Sequence, residues 1–66
     1  MKYAHDIVVR FDVRDALNCR LHERRSEQQA LAYAKAERRK AGGPISVVRV
    51  ETEGRVVRER HVATFS

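Results

Sequence analysis

Three features of the sequence predict an α+β domain. Hydrophobicity alternates strictly over the first dozen residues, a helical stretch occupies the middle, and a glycine-centred hairpin lies near the end. Together they give the order ββαββ, with one helix packed across an antiparallel sheet of about four strands. The helix organises the chain and spans Ser26 to Gly43. The Ser26 hydroxyl suits an N-cap, because it can accept a bond from a free backbone N–H of the first turn. Gln29, three residues on, completes a capping-box pattern, and Glu27 places negative charge at the positive end of the helix dipole. Ala30, Leu31, Ala32, Tyr33, Ala34 and Ala36 are mostly strong helix formers. Arg38, Arg39 and Lys40 suit the last turn, Gly42 and Gly43 supply a residue able to take positive φ, and Pro44 forbids continuation.

Tyr3 to Val13 reads as a half-buried strand. Tyr3, His5, Ile7, Val9, Phe11 and Val13 point one way and Lys2, Asp6, Arg10, Asp12 and Arg14 the other, with Val8 as the exception. This strand is expected to be central, since it supplies most of the large core residues. In Arg14–Arg25, Asp15 and Asn18 suit a reversal. A short second strand follows, with Cys19, Leu21 and Glu23 alternating with Arg20, His22 and Arg24. A helical turn through Ala16, Leu17 and Leu21 is the competing reading. After the helix, Ile45–Glu51 forms a third strand. Thr52-Glu53-Gly54 fits a three-residue loop with Gly54 left-handed, placing Glu51 opposite Arg55 and Val50 opposite Val56. Val56–Thr64 is the fourth strand, whose Arg58 and Arg60 suit a sheet edge.

A chain of 66 residues makes one domain, 1–66, with a thin core. An apolar share of 42% without low-complexity runs is compatible with folding. No apolar run approaches the roughly 20 residues that span a bilayer, and the N-terminus lacks a signal-peptide core, so cytoplasmic residence is expected. Cys19 stands alone and cannot build a disulfide framework. The net charge is +5, and 11 of the 14 basic residues are arginine. Arginine donates two parallel hydrogen bonds to phosphate or carboxylate, so the charge directs attention to nucleic acid, a ribonucleoprotein or an acidic protein face.

Catalysis finds little support. His5, His22 and His61 sit on different strands, without partners at metal-ligand spacing, and no metal, cofactor or small-molecule substrate is expected. Nothing orients Cys19 as a nucleophile. Gly42-Gly43-Pro44 follows a helix instead of preceding one, so it cannot cradle phosphate. No zinc finger, helix-turn-helix or aromatic RNA-binding sheet is present. Tyr33, on the helix flank, could stack on a base, pack on a partner or close the core edge. What remains is a binding surface. Ala30, Leu31, Ala34 and Ala41 gather on the inner face of the helix. Gln28, Ala32, Lys35 and Arg39 gather on the outer face, with Arg38 and Lys40 flanking. Gln28, Lys35, Arg38, Arg39 and Lys40 are the candidate contact residues.

Met1-Lys2 precedes an alternating strand, Ala34-Lys35 lies in a helix ending in basic residues, and Arg49-Val50-Glu51-Thr52 precedes a glycine hairpin. At this level of pattern, over most of its length, the chain resembles the ninth family of phage-encoded anti-CRISPR proteins directed against type I-F systems. It departs in its arginine-rich segment before Ser26 and in its Gly-Gly-Pro link. The resemblance implies a similar fold and a non-enzymatic inhibitor that binds backbone subunits of a Cas ribonucleoprotein beside the guide RNA, in the path of target DNA. The family is also described as promoting non-specific DNA binding by the inhibited complex. The functional residues implied lie on the helix: Lys35 matches one of them, and Arg38, Arg39 and Lys40 correspond more loosely. The chain would act as a monomer or weak homodimer. Two other readings stand beside this one. The first is a small basic nucleic-acid-binding accessory or regulatory protein of a mobile element. The second is a dimeric module pairing through a strand edge.

Overall fold

The computed structural model describes residues 6–66. The elements are β1 (Ile7–Arg14), β2 (Arg20–Arg24), α1 (Glu27–Arg38), β3 (Ile45–Glu53) and β4 (Val56–Phe65). The chain order ββαββ is the one expected, and the strands form one antiparallel sheet in the spatial order β2-β1-β3-β4. Two hairpins lie side by side, so β1 is central, as its apolar row predicts. Its expected first residues, Tyr3 to His5, lie outside the described residues.

Arg14–Arg25 resolves as turn and strand. Asp15 Oδ1 accepts the backbone N–H groups of Leu17 and Cys19, both at 2.9 Å, and Asn18 takes φ 66°. The short polar side chains thus replace helical hydrogen bonds with a local turn. A bulge at Val13/Arg14 shifts the β1–β2 register, pairing Val13 with His22 but Arg14 with Arg20. One extra residue on β2 bends the strand and re-aims its side chains.

Ser26 caps α1 by accepting the Gln29 N–H at 3.4 Å. The helix ends at Arg38, earlier than the sequence suggests, with Arg39 as C-cap in the right-handed region. Lys40 and Ala41 both donate to the Glu37 carbonyl, at 3.0 and 2.9 Å, and close the last turn. Neither Gly42 nor Gly43 takes the positive φ expected of a helix-ending glycine. The right-handed cap satisfies Glu37 without one.

Ala30 and Ala34 are fully buried against Phe11, Val13, Ile45 and Val47, with Leu31, Ala41, Val62 and Phe65 packed around them. Alanine at the contact lets the helix lie close to the sheet. Full burial of each large aliphatic side chain contributes roughly 1.5–3 kcal/mol. The core is confined to one end of the sheet. A helix of 12 residues spans about 18 Å, whereas the ten residues of β4 span about 33 Å. Beyond the helix, Ile7 is 54% exposed despite belonging to the predicted core row. Its register partner Glu53 is only half-buried, and Val56, which pairs with Glu53, is exposed.

The β3–β4 turn also differs from expectation. Glu53 pairs with Val56, leaving a two-residue Gly54-Arg55 loop, and Glu51 faces Arg58 instead of Arg55. Val50 faces Glu59, not Val56. Positive φ is confined to Gly54, at 60°, the pattern of a type II′ turn whose twist matches the flanking strands. The three-residue alternative offered only one ion pair and one apolar pair. The observed register gives Arg58 two carboxylates, Glu51 at 3.4 Å and Glu53 at 3.5 Å.

Candidate interaction surface

The five candidate residues do not share one environment. Gln28, Lys35 and Arg39 lie along the outward stripe of α1 and are exposed, as the helical period requires. Lys35 and Arg39, four apart, are neighbours on that surface. Neither makes an ion pair among the described residues. Lys40 is past the helix end and stays open, with a side chain 76% exposed and 3.9 Å from Glu37. Arg38 is turned inward instead. It is half-buried, its Nη1 donates to the Ala41 carbonyl at 3.1 Å, and its Nε is buried without a partner. Arg38 therefore ties down the segment just past the helix end.

Two arrangements were not read from the sequence. On the sheet face away from α1, Asp12 is 1% exposed although no second layer covers that face. Arg10 Nε donates to Asp12 Oδ1 at 2.9 Å, and Arg14 Nη2 to Oδ2 at 3.1 Å. Arg14 also forks across β3 to Glu59, with bonds of 3.0 and 2.8 Å. These bonds hold the Glu59 carboxyl below its ordinary range and the Arg14 guanidinium above its own. Arg10 is likewise raised, chiefly by its bond to Asp12. Val50, paired with Arg10 on one side and Glu59 on the other, is fully buried. Long side chains lying flat over an open sheet can shield an aliphatic row in this way.

The second arrangement joins β2 to α1. The His22 and Tyr33 rings stack with centroids 4.3 Å apart and planes inclined by 14°. The Arg24 guanidinium carbon is 5.8 Å from the Tyr33 centroid. Strand alternation places His22 and Arg24 on one face of β2, and that period was the available signal.

On β4, His61 Nε2 is 2.6 Å from Thr64 Oγ1, which is 3.2 Å from Ser46 Oγ. Glu59 is engaged by Arg14, so it does not orient His61. Among the described residues no group of three or more His, Cys, Asp or Glu could hold a metal ion, and no helix is long and apolar enough to cross a membrane. What the outer helix face offers is exposed cationic side chains. Comparison with known proteins finds no match to this chain among family models, curated proteins or solved structures.

Proposed function

We propose that the chain is a non-enzymatic inhibitor that docks on a CRISPR surveillance ribonucleoprotein and denies target DNA its place. The observation that carries the docking half is the outer face of α1. Gln28, Lys35 and Arg39 form an exposed stripe whose two cations meet no carboxylate among the described residues, with Lys40 beside them. Such cations are available to an external anion, either the guide-RNA phosphate or acidic side chains on the Cas backbone. The pattern resemblance supplies the identity of the target. Surveillance complexes hold guide and target in a channel read through backbone and shape, so occupancy suffices without catalysis.

The test is charge reversal at Lys35 and Arg39 together, read by DNA-binding competition on a purified type I-F complex. Both side chains are exposed, so folding should survive with a loss of about 0.3–1 kcal/mol per charge from the helix dipole. Docking should weaken by about 2–5 kcal/mol if the partner charge is left buried. Arg55, at the hairpin tip and without an ion pair among the described residues, is the control position. A folded double variant that inhibits at wild-type concentration removes α1 as the contact face. Sequence-selective, salt-resistant duplex binding by the free chain would favour the nucleic-acid-binding alternative.

A further inference from the structure

We infer that Tyr33, Arg24 and Gln29 form a subsite for one nucleotide of a single-stranded nucleic acid, with its base against the Tyr33 ring and a phosphate on Arg24. An open cleft of about 460 Å³ is lined by Arg24, Gln29, Ala32 and Tyr33. His22, stacked on Tyr33, is not part of that lining, so it braces the ring from behind while the cleft opens elsewhere. Bracing matters because a ring already held in place loses little further freedom when a base stacks on it. Arg24 is exposed and makes no ion pair among the described residues. It lies over the Tyr33 ring, its guanidinium carbon 5.8 Å from the centroid, so an incoming base must share the ring with that exposed side chain. Exposed Arg25 follows it in the chain. Gln29 brings an amide donor and acceptor, and Ala32, one methyl wide, leaves room between them.

The chemistry selects a single strand. An aromatic face beside an unpaired guanidinium is the pairing by which stacking platforms hold bases and track the backbone without sequence preference. A duplex hides its base faces. An acidic peptide would use the cations and leave the ring idle. Ala32 also lies on the outward stripe, three residues from Lys35 and four from Gln28, so the cleft runs directly into the Lys35–Arg39 surface. A strand seated with a base on Tyr33 would carry its following phosphates along α1. For the identity of that strand, the guide RNA, the inference rests on the function proposed above. The stacking chemistry itself does not.

The experiment measures anisotropy of a short labelled single-stranded oligonucleotide, RNA and DNA in separate arms, with the full chain across a salt series. Tyr33→Leu should weaken binding about 5- to 150-fold, the worth of one base–aromatic stack, while leaving the salt slope unchanged. Tyr33→Phe should restore wild-type affinity. Arg24→Gln should lower the slope by about one phosphate contact. A Tyr33→Leu chain that is folded by circular dichroism and binds as the wild type overturns the subsite. So does a loss confined to Arg24→Gln, which would mark a simple anion site. If Tyr33→Leu does not fold, photo-crosslinking of the wild-type chain to a halogenated oligonucleotide decides: adducts at Tyr33 support the subsite, and adducts only elsewhere refute it. The same variants in the surveillance-complex assay separate the two proposals. Tyr33-dependent strand binding without inhibition would sink the function and keep the subsite, and inhibition without strand binding would do the reverse.

Discussion

Replacing Asp12 with alanine tests whether the open sheet face is held by its ion network. The carboxylate is 1% exposed and takes one hydrogen bond from each of two arginines. Such charge-assisted bonds contribute about 1.5–3 kcal/mol each. The Arg10 side chain is 34% exposed, so solvent reduces its share to about 0.5–1 kcal/mol. Arg14, at 11%, stays near the full value. The expected loss is therefore about 2–4 kcal/mol, against a total of about 3–10 kcal/mol for a chain this long. Each kcal/mol moves the melting temperature by about 4–8 °C in a domain of this size, so the fall should be about 10–30 °C. Thermal circular dichroism near neutral pH measures it. Asp12→Asn separates charge from volume, since it keeps the shape and one acceptor but faces a guanidinium with N–H donors. Charge predicts that most of the loss persists in the asparagine variant. If that variant melts within about 4 °C of wild type, the network is not what holds this face.

Two further outcomes follow from the sheet. Arg14 depresses the Glu59 carboxyl below its ordinary value of 4.5 in the folded chain, which adds stability above that pH and loses it as pH falls through the folded value. Glu59→Gln should thus lower the melting temperature at neutral pH and flatten its decline in acid, and an unchanged acid limb would dismiss the pair. At the hairpin, Gly54→Val forces a β-branched residue to φ 60° and should cost about 1–2 kcal/mol in thermal melts without altering docking through α1. A variant with unchanged melting would contradict the Gly54-Arg55 turn.

Element type and order were legible because they rest on local periods and end signals. Ser26 marks its own helix start, and Asp15 with Asn18 marks its own turn. The hairpin register was not legible, because it depends on which of two nearly equivalent pairings also satisfies Arg58, a residue outside the turn. The depth of burial was not legible either. Ile7 carries the right period for the core, yet α1 is too short to reach it. Asp12 carries the right period for solvent, yet Arg10 and Arg14, two residues to either side on the same strand, close over it. Among the site residues, the exposure of Lys35 and Arg39 follows from helical phase alone. The inward turn of Arg38 follows from the early helix end, which leaves the Ala41 carbonyl within its reach, and no periodicity encodes that.

The partition of charge connects the fold to the proposed surface. On the sheet, Arg10, Arg14, Arg20, Arg49 and Arg58 pair with Asp12, Glu23, Glu51, Glu53 and Glu59. That consumes five of the nine acidic residues, Glu51, Glu53 and Glu59 in contacts between strands and Asp12 and Glu23 in contacts within one. Among the described residues, the exposed cations that no carboxylate meets are Lys35 and Arg39 on the outer helix face, Arg24 and Arg25 at the end of β2, and Arg55 and Arg60 on the β3–β4 hairpin. A charge already paired at close range offers little to a partner, since binding would exchange one carboxylate for another. An unpaired, exposed cation gives up only hydration and counterions, and released counterions favour binding to a polyanion. The arginine-rich composition alone points everywhere on the molecule at once. The pairing pattern sets aside the paired sheet arginines, and of the exposed cations that remain, those on the outer helix and the adjoining end of β2 lie together and can be altered without loosening the sheet.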